Sequence, residues 1–265
     1  MEARAPSGLV LVDKPAGPSS FAVVQRLRTR HGAKAGHAGT LDPLATGLLL
    51  VLLGRATRLA RYLVGLDKRY VTEIRLGLRT STGDGEGEVV EETPVPSQRE
   101  IEALTGELEL PIPAASAVKV GGERAYRLHR RGVAVEMPTR RSVVHDLRVR
   151  RYAPPLVEAE LFVSSGTYVR SIADALGGHC RTLRRTAVGP FLVEDADEER
   201  VLPPLAAVVH VPERRISEAE AARLRSGLAL PGEGKGPVAL WTGEGSLVAV
   251  AIAKDGTLRP ETVVG

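Results

Sequence analysis

The sequence predicts a mixed α/β (α+β) protein with a smaller β-rich segment toward its C-terminal end. Three observations carry this reading. Residues 70–76, 140–152 and 156–163 alternate side-chain character with the period of strands. Residues 9–12 and 48–53 are short continuous apolar runs, long enough for buried strands and far too short to span a membrane. Helix signals lie between them, so strands and helices interleave along 265 residues, 43% of them hydrophobic. That is material for one large domain, or one domain with a small appendage.

The strand at 9–12 ends in Asp13-Lys14-Pro15-Ala16-Gly17-Pro18, a turn-rich stretch. Ser19 or Ser20 then caps a helix in which Phe21, Val24 and Leu27 share one face and which Gly32 ends. Residues 56–63 read as a basic helix. On the next strand Tyr70, Thr72, Ile74 and Leu76 lie on one face, opposite Val71, Glu73 and Arg75. Residues 79–97 are rich in glycine, acids and proline and read as a long loop, and 101–108 read as a short helix. A strand at 117–120, a Gly121-Gly122 turn and a helix over 123–131 follow. After the two alternating strands, Thr167 is placed to cap a helix through Leu176, which Gly177-Gly178 closes. An acidic run and then prolines change the character of residues 194–210, and a domain boundary is expected near residue 208. Beyond it, Ser217 and Glu220 have capping-box spacing. Strands are expected at 238–241 and 247–253.

Composition excludes several classes. One cysteine, Cys180, rules out an internal disulfide and a cysteine-cluster zinc site, and suits a reducing cytosol. The opening Met-Glu-Ala-Arg-Ala-Pro has no apolar signal region. No phosphate-binding loop, nucleophile elbow or metal-spaced Cys/His/acid cluster is present. The net charge is only +4, but it is unevenly spread. Residues 1–70 carry eleven Lys/Arg against four Asp/Glu, and residues 119–151 carry ten against three. Residues 86–109 carry one base against eight acids. Basic segments kept apart from an acidic one suggest a face turned toward a polyanion.

One stretch concentrates chemistry: Gly36-His37-Ala38-Gly39-Thr40-Leu41-Asp42-Pro43-Leu44-Ala45-Thr46-Gly47. It sets a single carboxylate, Asp42, among glycines and small residues that let a ligand approach closely, and Pro43 stiffens the chain directly after the acid. The stretch resembles the catalytic motif of the TruB family, the bacterial tRNA pseudouridine-55 synthases. Gly166-Thr167-Tyr168-Val169-Arg170 resembles a second motif of that family, and Lys68-Arg69-Tyr70 a third. An arginine at a helix start opposes the helix dipole unless a partner holds it, and a carboxylate such as Asp42 would serve.

The resemblance, from about residue 7 to about residue 192, implies a set of roles. Asp42 is catalytic, as nucleophile or base. Tyr70 lies on the target base, with Tyr168 and Leu183 walling the pocket, and Arg170 keeps the carboxylate ionised. His37 contacts the region that the target nucleotide vacates. Lys14, Lys119, Arg184 and Arg185 fall at basic family positions where phosphate contact is expected, which positions RNA rather than reads it. The chain departs from the family pattern at Ser81, where a second acid is common beside Asp84, and at Ala175, where an aspartate is usual; its stretch 177–183 is short.

The family implies a mixed, largely antiparallel sheet with flanking helices over residues 1–207, and a small PUA-like RNA-binding β domain over 208–265. It implies isomerisation of uridine-55 in the T-arm loop of tRNA by base flipping, without cofactor or metal, by a cytoplasmic protein acting as a monomer without membrane or obligate protein partner. Two other classes stay open: a non-catalytic tRNA-binding or folding protein on the same fold, and a guide-RNA-dependent, dyskerin-like synthase.

Overall fold

A computed structural model describes residues 5–133, 135–243 and 245–264. The chain divides into two compact units. One joins the residues up to 66 with those from 189 onward, and the other holds residues 67–188.

The first unit starts with β1 (Gly8–Lys14), α1 (Ser20–His31), β2 (Ala35–His37), β3 (Thr46–Leu53) and α2 (Ala60–Val64). β1 and β3 pair antiparallel from Gly8–Leu53 to Lys14–Gly47, and β2 adds to β3. Both strands are buried on both faces, which is why they read as continuous apolar runs. Ser19 caps α1 by accepting from Ala22 N, and Gly32 ends it in the left-handed region. The buried stripe of α1 is Ser20, Val23, Val24 and Leu27. Phe21, expected on the buried face, is instead 65% exposed. The polar Ser20 takes the inward position because its hydroxyl is bonded to Leu41.

The second unit runs β4 (Lys68–Leu76), β5 (Leu78–Thr80), β6 (Val89–Glu92), α3 (Gln98–Glu102), β7 (Gly106–Pro111), β8 (Lys119–Val120), β9 (Glu123–Arg124), α4 (Ala125–Arg130), β10 (Thr139–Ala153), β11 (Leu156–Val163), α5 (Val169–Ala175) and β12 (Gly178–Val188). Its sheet has the order β12-β4-β11-β10-β7, and every pairing is antiparallel. Burial alternates strictly along β4 and β11, so one face is covered and one is wet.

Four readings of the sequence change here. Residues 79–97 are not one loop, because β5 and β6 form a hairpin across them. The helix expected over 101–108 stops at Glu102; Gly106, at φ +90°, turns the chain into β7. Residues 178–188, given no element by their pattern, form a strand of the sheet. The N-cap of α5 is Tyr168 rather than Thr167, and no side chain caps it.

The chain then returns to the first unit through β13 (Phe191–Leu192) and β14 (Asp197–Leu202), which pairs with β1. β15 (Glu213–Arg215), α6 (Glu218–Arg225), β16 (Leu230–Pro231), β17 (Gly236–Thr242), β18 (Ser246–Lys254) and β19 (Thr257–Val263) complete it. The last five strands form a separate sheet, β15-β17-β18-β19-β16, with its own core around Leu224, Leu240, Val248 and Leu258. The capping box of Ser217 and Glu220 opens α6 as its spacing implied. This sheet is fixed to α2 and the turn before it: Tyr62 Oη donates to Glu261 at 2.6 Å and Arg58 to Val263 O at 3.0 Å. Among the described residues no helix is long and apolar enough to cross a membrane.

Candidate active site

In the first unit the Asp42 loop is pinned immediately before and after the acid. Ser20 Oγ donates to Leu41 O at 2.9 Å and accepts from Leu41 N at 2.8 Å. Pro43 O accepts from Gly17 N at 2.9 Å and from Lys14 Nζ at 3.2 Å. Asp42 O receives Ala45 N, which tightens the turn after it. Gly39 and Gly47, at φ +111° and +98°, supply left-handed backbone that a side chain would strain. The carboxylate of Asp42 is thus a half-buried group on a loop with little freedom. A loop held this way spends little entropy when it meets a ligand. His37 ends β2, half-buried, opposite Val51 of β3.

Lys14 differs from its expected role. It is fully buried, and its ammonium donates to Pro15 O, Pro18 O and Pro43 O at 2.8, 2.9 and 3.2 Å. Three carbonyls compensate the desolvated charge. The residue ties the chain after β1 to the Asp42 loop, and an ammonium enclosed in this way does not present itself to a phosphate.

In the second unit the sheet register gathers several expected residues. Tyr70 of β4 stands opposite Leu161 of β11 and Arg185 of β12, and Thr72 stands opposite Leu183. Directly opposed residues of antiparallel strands share a face, so Tyr70, Leu183 and Arg185 lie together on the covered face. Tyr70 is 8% exposed and Arg185 is 1% exposed, so Arg185 too departs from an open phosphate contact. Arg184 lies on the opposite face, beside Val71, and is half-exposed. The two adjacent arginines cannot act as one patch, because neighbours on a strand point apart. Lys119, on β8, is exposed.

Arg170 sits in the first turn of α5 and is 2% exposed. It donates to Thr82 O at 2.6 Å and to Ala115 O at 3.0 Å, and lies 3.5 Å from Asp84 Oδ2. Within this unit Asp84 is thus a carboxylate that meets Arg170. The Asp84 side chain also accepts from Thr82 Oγ1 at 2.6 Å and from Glu86 N at 3.1 Å. Gly83, at φ +72°, lets the loop close onto Arg170, whose Cβ would lie 3.2 Å from a Cβ there. A cavity of about 150 Å³ opens here, lined by Thr82, Gly83, Pro113, Arg170, Ser171 and Asp174. Tyr168, directly before α5, is half-buried.

Three contributors carry no functional role in the reading of the sequence. Asp84 reads there as a retained acid without a role; its signal is a lone aspartate in a loop of small residues. Ser20 reads only as an alternative cap. Lys68 is 6% exposed, on the face of Tyr70. Burial, and then the nearby Arg185, push its ammonium pKa down to about 8, against a smaller opposing effect of Asp67. Its position two residues before Tyr70 on an alternating strand is the available signal.

The model of the TruB family pseudouridylate synthase N-terminal domain matches residues 26–169, more than half of the chain. The chain belongs to the TruB family. A tRNA pseudouridine synthase B of Thermobifida fusca is 44% identical, with 97% of this chain and 98% of that protein aligned. Proteins of the same name from Ruegeria pomeroyi and Thiobacillus denitrificans are 41% and 36% identical, aligned over 97% and 98% of this chain and 95% and 97% of their own. Among solved structures, a chain of a Cbf5–Nop10–Gar1 complex aligns with a TM-score of 0.72 at 26% identity, over 97% of this chain and 85% of that one. This agrees with a mixed, largely antiparallel fold. The matched segment contains Asp42, Tyr70 and Tyr168 and ends directly before Arg170.

Proposed function

We propose that this protein isomerises uridine-55 in the T-arm loop of tRNA to pseudouridine, acting alone on RNA in the cytosol, as a monomer. The single observation that carries the reading is the Asp42 loop: a family motif with one carboxylate, held by Lys14, Ser20 and Gly17 on either side of the acid. Near-complete alignment with relatives named tRNA pseudouridine synthase B supports the substrate class. It also favours the stand-alone enzyme over a guide-RNA-directed one.

In this reading the uridine leaves its stack, its N1–C1′ bond breaks, the base turns, and a C5–C1′ bond forms. Asp42 starts the reaction as nucleophile or base. Tyr70, Tyr168 and Leu183 enclose the extruded uracil, Arg170 contributes fixed positive charge, and His37 takes the RNA side near the vacated position. Exposed cations such as Lys119, with Arg184 on the other strand face, bear on phosphates. The small sheet beyond residue 208 is read as an RNA-binding domain. Looped nucleotides are what sequence-specific RNA recognition reaches, which suits a T-loop.

The test is a purified protein and an unmodified tRNA transcript, with pseudouridine mapped by position. Asp42→Asn is expected to abolish product and leave tRNA affinity within about threefold, because binding rests on phosphate contacts spread over many cations. Substantial turnover by that variant would refute the role of Asp42, and product at another uridine would refute the position.

A further inference from the structure

Lys68 is a buried cation that the chemistry above leaves unused. It opens β4 on the face of Tyr70, two residues away, with apolar strand neighbours: Val163 of β11 and Val188 of β12. Its Nζ donates to Ser165 Oγ at 3.2 Å. Ser165 belongs to the turn between β11 and α5, which is itself tightly held. Ser164 Oγ lies 3.1 Å from Thr167 Oγ1 and accepts from Val143 N at 2.9 Å, and Ser164 N donates to Val143 O at 2.8 Å. Gly166, at φ +80°, lets Arg140 approach so closely that a Cβ there would meet its guanidinium. This turn delivers Tyr168 and Arg170. A buried ammonium is costly unless polar partners compensate it.

We propose that Lys68 is a positioning residue for the isomerisation: its ammonium ties the strand that carries Tyr70 to the turn that carries Tyr168 and Arg170, and so sets the spacing of the pocket. The inference rests on the proposed activity. A lysine that only filled space would act through its stem, and its charge would be irrelevant. Charge is therefore the discriminating property. The charged groups around it include Arg185 from β12 and Asp67 directly before β4; Asp67 is in turn 3.2 Å from His145 of β10. With its pKa lowered to about 8, the ammonium is present at neutral pH and is lost as pH rises through that value. The hold on the turn follows the same course.

The experiment is single-turnover pseudouridine formation on a tRNA transcript from about pH 6.5 to 9.5. It compares wild type, Lys68→Met and Lys68→Arg, with tRNA affinity and melting temperature measured alongside. Wild type is expected to slow above about pH 8. Lys68→Met should be slower by on the order of tenfold at neutral pH, with affinity within about twofold and no alkaline limb, since misplacement costs rate more than binding. Lys68→Arg, which stays charged throughout, should keep the rate within about threefold and also lose the limb. A Lys68→Met protein with the wild-type rate and limb would overturn the inference, as would a Lys68→Arg protein as slow as Lys68→Met. Should Lys68→Met fail to fold, an alkaline limb shared by wild type and Lys68→Arg is itself overturning. A wild type that makes no pseudouridine at any pH refutes the activity, whereas unaffected variants of an active wild type refute only the role of Lys68.

Discussion

Arg170 and Asp84 face each other at 3.5 Å with their side chains only 2% and 6% exposed. They belong to α5 and to the loop between β5 and β6, so the pair fixes a helix start to a loop of small residues. Asp84→Asn keeps an oxygen for Thr82 and Glu86 and removes the charge beside Arg170. Breaking a buried pair by removing one partner costs about 3–5 kcal/mol. The expected outcome is a lower melting temperature and a turnover loss in the folded protein larger than any loss of tRNA affinity. Unchanged single-turnover rate at unchanged stability would show that Asp84 does not hold Arg170 in its working position.

Lys14 separates a structural cation from an RNA contact. Its ammonium serves three carbonyls around the Asp42 loop. Lys14→Met should destabilise the protein, since it removes the hydrogen bonds of a buried ammonium, and a hydrogen bond to a charged group contributes about 1.5–3 kcal/mol. It should lower turnover while leaving the salt dependence of tRNA binding as it is. A variant of normal stability with weaker binding and a shallower salt slope would restore the phosphate role.

Tyr70 is more buried than a half-open stacking platform, at 8% exposure. Tyr70→Ala therefore carries a packing cost, about 3–5 kcal/mol for a large aromatic in a core. The functional role predicts a further loss of rate in the folded fraction. Tyr70→Phe keeps the ring plane and should retain most activity if stacking is the whole role. Melting temperature and single-turnover rate of both variants decide. A wild-type rate for folded Tyr70→Ala would reduce Tyr70 to a core residue.

Arg127 and Arg130 lie one turn apart on α4, both bordering solvent, and both stand over the Tyr126 ring at 5.9 and 5.8 Å. They fall in the strongly basic segment 119–151. Binding of tRNA is expected to weaken steeply with salt, with a log–log slope of about −0.7 per neutralised phosphate of a single strand. The double change to alanine should weaken binding and make that slope shallower by about 0.7 for each phosphate no longer neutralised. Equal slopes for wild type and variant would place α4 away from the RNA.

What the sequence determined by itself was whatever rests on local periodicity and on motifs. The alternation of β4, β10 and β11, the apolar runs of β1 and β3, the Ser217–Glu220 capping box and the Gly32 stop are each set by residues within one or two turns of chain. The family was legible for the same reason, because its motifs are continuous stretches around Asp42, Tyr70 and Arg170.

Tertiary structure decided what depends on distant partners. β12 hid in the sequence because two bulges break its period, after Cys180 and after Arg185, and because Arg185 is buried where an apolar residue would be expected. Lys14 reads as a surface cation until Pro43, 29 residues away, is seen to accept a hydrogen bond from it. Phe21 left the buried face because the hydroxyl of Ser20 found Leu41. A polar side chain goes inside only when a partner compensates its lost hydration, and a partner remote in the chain leaves no trace in local pattern.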